Sequence, residues 1–337
     1  MSDLTQFQRD WPLLAGGQTQ PLTRGTNNLM YRIDTGAGSY VLRIAGSQVS
    51  SRRLEFEYDV LSKLCALGLP FALPAPLLTA RDEPYARVPS AEGGEALATL
   101  TSLIPGAHPQ RDDLAQVEAA GAALGQLDNA LAGVSLARPQ DALDWRSTGD
   151  LGHCHPSVPD PREAITTLPL AADARNRLAE DYDALLEQST PLYASLPRRL
   201  SHEDYDTSNV LLLGARVTGV LDFEFCALDL RPMDLVVALT WWPVERFGSG
   251  DEWPIIAALL RGYARWRSLD AAEIAAIPTL FRLRAYTSLI HRLGRQRQGL
   301  SPMEHVVARA WAALEREAWL QQNSERLIQE VDEALRK

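Results

Sequence analysis

Cysteine is scarce in this chain. Cys65, Cys154 and Cys226 are odd in number and scattered, which excludes a disulfide framework and a CxxC pair, so a reducing compartment, the cytoplasm, is expected. His153-Cys154-His155 has no second ligand group at useful spacing and reads as a surface loop rather than a metal cluster. Long apolar runs are also missing: nothing approaches the roughly 18 residues that a membrane-spanning helix needs. The opening MSDLTQFQRDWPLL carries acidic residues and no apolar core, so no export signal is expected. Basic charge is in deficit, 33 Lys and Arg against 43 Asp and Glu for a net charge of −10. That balance speaks against a nucleic-acid binder and permits a cationic small substrate. Internal repeats and low-complexity segments are absent.

What is present suits a globular protein. The 337 residues suffice for two compact lobes. Pro21 to Ile33 has a strand-turn-strand pattern with Arg24-Gly25-Thr26-Asn27-Asn28 as its turn, and Ser39 to Ile44 is a third strand. Ser50-Ser51 offers a helix cap before Leu54, Tyr58, Leu61, Leu64 and Cys65, which fall at helical spacing, and Gly68 can end that helix. Tyr85 to Val88 and Ala96 to Ile104 read as a further hairpin. From Asp112 the pattern turns helical, interrupted by an irregular stretch from Ala137 to Pro161 long enough to be a functional loop or a cover. Pro254 to Trp266, Ala271 to Arg295 and Pro302 to Leu335 are further helices, the last expected to pack on the helical region rather than to form a coiled coil. The fold class is α+β.

The stretch from Leu200 to Leu235 organises the rest. His202-Glu203-Asp204 is followed by Asn209, an apolar run Val210 to Leu213, a turn at Gly214-Ala215-Arg216, a second apolar run Val217 to Leu221, and Asp222-Phe223-Glu224. Two short strands and a tight turn bring Asp204, Asn209 and Asp222 to one end of a hairpin. Phosphoryl transfer needs such a set: a carboxylate to orient the attacking hydroxyl, and an amide and a second carboxylate to hold the metal at the nucleotide phosphates. Each residue taken alone is equally at home in a turn.

His202-x-Asp204-xxxx-Asn209 with Asp222-Phe223-Glu224 resembles the catalytic and metal-binding segments of the aminoglycoside phosphotransferase/choline kinase superfamily. The resemblance implies a protein-kinase-like two-lobed fold: an antiparallel β-sheet lobe over residues 1–103 and a mainly helical lobe over 104–337, with the catalytic hairpin at 200–234 and the substrate pocket. It implies ATP and Mg2+ as cofactors, Asp204 as catalytic base, and Asn209 and Asp222 as metal ligands. Arg43 becomes the phosphate-contacting cation, paired with Glu57 or, second, Glu55; Gly25, Thr26 and Asn27 would cover the phosphates, and Leu100 to Ile104 would meet the adenine. His202 and Asp234 take structural parts. The sequence departs from the family where Glu203 replaces a glycine and where Tyr205-Asp206-Thr207-Ser208 replaces a histidine and a Pro-Gly pair, which bears on loop conformation and acceptor preference.

The acceptor pocket is expected beside Asp204, walled by Tyr205, Asp206 and Glu224, with Trp241 and Trp242 either closing it or in the core. Glu203 and Asp206 either attract a substrate ammonium or are solvated loop acids. The run from Leu221 through Trp242, and Leu259-Leu260-Arg261-Gly262-Tyr263, are similar to bacterial type II homoserine kinases. That makes homoserine the leading acceptor, with Arg282, Arg284 and Arg292 as candidate partners for its carboxylate. Aminoglycosides, choline-like compounds and sugars are alternatives. A non-catalytic kinase-like module is disfavoured by the retained acidic set, and a protein kinase by the lack of an Ala-Pro-Glu-like segment after Asp222.

Overall fold

A computed structural model describes residues 4–22, 28–46, 49–89, 94–136 and 151–336. The N-terminal region is built on one antiparallel sheet of five strands: β1 (Gln18–Leu22), β2 (Leu29–Thr35), β3 (Gly38–Ile44), β4 (Ala86–Pro89) and β5 (Glu95–Ser102), in the order β1-β2-β3-β5-β4. Side chains alternate across a strand. In β3, Leu42 is fully buried on one face, while Val41 and Arg43 line a cleft on the other. The Leu42 face packs with Ile33, Leu100 and Val88 and is closed by the N-terminal segment, where Phe7, Trp11 and Leu14 are buried. That segment is a single turn of helix, α1 (Thr5–Gln8), and a 3-10 turn at Pro12–Leu14, and it covers the outer face of the sheet.

Helix α2 (Ser51–Ala66) starts where the sequence places it, with the Ser50 side chain accepting a hydrogen bond from the backbone N–H of Arg53. It turns Arg53, Phe56, Glu57, Val60, Leu61 and Leu64 inward. Gly68 follows at φ +67, the left-handed conformation that glycine adopts freely. The chain then crosses to the helical region in extended form. Ala72 N–H donates to Thr218 O at 2.9 Å, and Ala107 and Leu212 exchange backbone hydrogen bonds at 2.9 and 2.8 Å.

The C-terminal region is mainly helical: α3 (Leu114–Ala132), α4 (Pro161–Thr166), α5 (Ala172–Ser195), α6 (Met233–Trp241), α7 (Glu252–Tyr263), α8 (Ala271–Arg297) and α9 (Met303–Leu335). Helices α3 and α7 cross very closely at Gly121 and Gly262. A methyl group on Gly262 would lie 2.0 Å from Glu118 O, and one on Gly121 would lie 2.2 Å from Leu259 O. The long α9 packs back on the core through Val306, Ala310, Leu314, Leu320 and Leu327. No helix among the described residues is long and apolar enough to cross a membrane.

Two features differ from the sequence-based expectation. The hairpin β7 (Val210–Leu213) and β8 (Arg216–Val220) is framed by a second, unpredicted pair, β6 (Arg198–Ser201) with β9 (Ala227–Leu230). Each of these strands has four residues and is almost wholly buried, so neither shows polar-apolar alternation. His155 is buried rather than part of a surface loop, its ring 5.7 Å from that of His291 and packed on Gly294. Residues 137–150 of the irregular stretch lie outside the described residues; in the remainder, Leu151 and Val158 enter the core.

Candidate active site

A cleft of about 1000 Å3 lies between the sheet and the helical region. Its floor is the segment between β6 and β9. Asp234, fully buried at the start of α6, accepts the backbone N–H groups of His202 and Glu203, both at 2.7 Å. The His202 ring continues the brace. Its Nδ1 accepts from Asp204 N–H at 3.2 Å, which makes Nε2 the protonated nitrogen, and Nε2 donates to Leu221 O at 2.9 Å. Burial lowers the His202 pKa to about 4, so the ring is neutral and structural. Glu203 occupies φ +69, where a β-carbon is costly and a glycine would not be.

Asp204, Asn209 and Asp222 come together on this floor, all lining the cleft. Asn209 Nδ2 donates to the Asp204 backbone oxygen at 2.8 Å and to its Oδ2 at 3.0 Å. This orients the carboxylate and leaves Asn209 Oδ1 available as a hard oxygen donor. Arg284 from α8 approaches Asp204 Oδ1 at 3.3 Å. Burial raises the Asp204 pKa to about 6, against the opposing pull of Arg284; such a carboxylate is still largely ionised at neutral pH yet basic enough to take a proton.

Asp222 sits at φ +60 and its pKa is well above the usual carboxylate range, because of burial first and then the charges of Glu224 and Asp204. Among the described residues its carboxylate receives one weak bond, from Glu224 N–H at 3.4 Å. A half-buried carboxylate with so little protein bonding, beside the Asn209 amide oxygen, suits a divalent cation. Among the described residues no three His, Cys, Asp or Glu side chains form a metal cage. The pair therefore fits an ion that takes one or two protein oxygens and completes its shell with phosphates and water.

The roof is the sheet and α2. Arg43 Nη2 lies 2.7 Å from Glu57 Oε2, both well shielded from solvent. Burial works against the Arg43 charge, but Glu57, then Asp222 and Glu224, outweigh it and keep the guanidinium protonated. Glu55, the second candidate partner, instead receives Tyr85 Oη–H at 3.3 Å. Arg53, five per cent exposed, donates to the backbone oxygens of Phe223, Glu224 and Cys226, so α2 grips the loop that carries Asp222. Asn28 Nδ2 donates to Glu224 Oε2 at 2.9 Å and Asn28 Oδ1 accepts from Gly46 N–H at 3.3 Å; neither this tie from the end of the turn nor the grip of Arg53 is visible in the local sequence. Gly25, Thr26 and Asn27 lie outside the described residues.

The acceptor side corrects two expectations, for Tyr205 and for Arg282. Tyr205 does not wall the cleft: it is fully buried, donates through Oη–H to Ala120 O at 2.8 Å and stacks on Trp242, which is also core. Flanked by cleft-facing Asp204 and Asp206, it takes the opposite direction into the helices. Asp206 and Glu224 do line the cleft, but Asp206 Oδ1 is taken up by the Ser208 N–H and Oγ, and Glu224 by Asn28. Arg282 points away and pairs with Glu317 at 2.6 Å. The wall facing Asp204 is instead basic, formed by Arg284, Arg292 and Arg295 of α8 and Arg309 of α9, with Trp241 among them.

Residues 18–277 match the APH phosphotransferase enzyme family, and the chain belongs to it. It is a small-molecule kinase, a phosphotransferase acting on hydroxyl groups. It is 29% identical to a homoserine kinase of Brucella anthropi over 81% of this chain and 77% of the relative, and 30% identical to a homoserine kinase of Methylocella silvestris over 87% and 85%. Its fold is that of a microcompartment-associated aminopropanol kinase, with a TM-score of 0.72 at 20% identity over 96% of this chain and 98% of the other. An amicoumacin kinase solved with AMP-PNP and Ca2+ gives 0.66 at 19% over 90% and 88%. The protein-kinase-like architecture follows from these likenesses.

Proposed function

We propose that the protein transfers the γ-phosphoryl group of ATP to the hydroxyl of homoserine or a closely related small amino acid. The observation that carries this reading is the convergence of Asp204, Asn209 and Asp222 on the floor of a cleft roofed by the Arg43–Glu57 pair. Residues 1–103 serve the nucleotide and 104–337 the acceptor. Asp204 orients the acceptor hydroxyl and takes its proton as the oxygen bonds to the γ-phosphorus and the bond to ADP breaks. Asn209 and Asp222 hold Mg2+, which when bound neutralises charge building on the phosphates. Arg43, held straight by Glu57, contacts phosphate oxygens. Asp206 and Glu224 border the acceptor. The homoserine kinases among the relatives support that acceptor. The cysteines Cys65, Cys154 and Cys226, which form no disulfide among the described residues, suit the cytoplasm.

The test is acceptor-dependent ADP release by the full-length protein with ATP and Mg2+, over a panel of homoserine, an amino alcohol, choline, an aminoglycoside, a neutral sugar and a generic protein. Homoserine is expected to give ADP and a phosphate ester in equal amounts. Phosphorylation of the protein substrate alone, or no acceptor-dependent turnover, would sink the proposal.

A further inference from the structure

The basic wall lies on the last two helices, beyond the segment 18–277 that matches the family. Its charges are unevenly satisfied. Arg284 is engaged with Asp204, whereas among the described residues neither Arg292 nor Arg309 has a carboxylate within ion-pair distance. Arg309 lies over one part of the Trp241 ring, 4.6 Å from its centroid, and Arg284 approaches the same ring at 5.9 Å. The Trp241 Nε1–H is buried with no acceptor among the described residues. Burial, and then the charges of Arg292 and Arg284, lower the pKa of Arg309, and Asp206 is the acid that opposes them. Guanidinium groups crowded this way, partly desolvated and without anions, are an arrangement that a bound anion completes.

Resting on the kinase reading above, we propose that Arg292 and Arg309, with Trp241, form a carboxylate-binding subsite that selects amino-acid acceptors and sets their hydroxyl at Asp204. The occupant is a carboxylate rather than a phosphate because Asp206 shares this corner of the cleft. One acid beside the arginines matches the ammonium of a zwitterion and would repel a phosphate dianion.

The test uses the full-length protein with saturating ATP and Mg2+. It compares homoserine, the same molecule without its carboxylate (aminopropanol), and hydroxypropyl phosphate. In Arg292→Met and Arg309→Met the ratio of kcat/KM for homoserine to that for aminopropanol should fall roughly 10- to 100-fold, the worth of one charge-assisted hydrogen bond. The loss should sit in the homoserine KM, and Arg309→Lys should recover part of it. An unchanged ratio, equal losses on both acceptors, or wild-type preference for the phosphate ester would overturn the subsite. Calorimetric titration of homoserine separates the two readings. Binding that weakens in the Met variants, without any acceptor-dependent ADP release, keeps the subsite and removes the kinase assignment. No binding of homoserine to the wild type removes the subsite, whatever else the protein phosphorylates.

Discussion

The floor of the cleft and its basic wall are built on opposite principles. On the floor the protein itself braces the catalytic loop: Asp234 takes two backbone N–H groups, His202 bridges Asp204 and Leu221, Asn209 steadies Asp204, and Arg53 closes the loop after Asp222. On the wall, Arg292 and Arg309 are held near one another with no carboxylate within ion-pair distance among the described residues. A constellation that must perform the same chemistry in every turnover gains from internal bracing. A surface that discriminates among ligands gains from leaving its charges for the ligand to satisfy. The contrast predicts that floor substitutions cost turnover or stability, and wall substitutions cost selectivity.

The largest expected break is on the floor. Asp204→Asn keeps the side-chain shape but removes the proton acceptor, so kcat should fall by roughly 10²- to 10⁴-fold. Circular dichroism and nucleotide affinity should stay close to wild type. Turnover within a few fold of normal would place the base elsewhere.

Next comes the clamp from α2. Arg53→Met would keep much of the packing against Phe56 but strand the buried oxygens of Phe223, Glu224 and Cys226. A loss of about 3 kcal/mol or more in urea unfolding is expected, since each unsatisfied buried group costs about 1–3 kcal/mol. Activity should fall too, because the same loop carries Asp222.

How much of this was readable beforehand differs between floor and wall for the same physical reason. Asp204, Asn209 and Asp222 stand at short, fixed offsets beside two apolar strands, so local sequence places them together. Arg53, only three residues from the Ser50 cap, looks like any helix arginine until its partners around Phe223 are known. On α8, Arg282 and Arg284 are chemically identical and two positions apart. Two helical steps amount to about 200°, so one meets Glu317 and the other Asp204. Arg309 reaches the cleft only because α9 folds back on α8. Tyr205 was placed on the pocket by its neighbours in sequence, but a loop has no fixed period, and its ring was claimed by Trp242 and Ala120.

A smaller effect should appear in the pH dependence of stability. Because the folded pKa of His202 is lowered from 6.5 to about 4, the unfolded chain binds the proton more readily. The neutral ring's contribution is complete above pH 6.5 and is lost progressively as pH falls towards about 4, by at most about 1.4 kcal/mol per pH unit. Asp128, raised to about 7 by burial despite Arg199, works in the opposite direction. The comparison must therefore be with His202→Gln: the variant's stability should decline less steeply than wild type between pH 6.5 and 5. Parallel curves would mean that His202 takes up a proton in the folded state.

The smallest expected effect tests whether the floor is optimised throughout. Glu203 has its backbone at φ +69, a conformation that glycine adopts freely and other residues rarely do. A side chain there costs about 1 kcal/mol. Its carboxylate, three per cent exposed, also carries a desolvation penalty. Glu203→Gly removes both, and the peptide N–H that reaches Asp234 is unaffected by the exchange. A gain of up to about 1 kcal/mol in unfolding free energy is expected, with Asp204 still braced by Asn209. A loss instead of a gain would show that the contacts of the Glu203 carboxylate outweigh the strain.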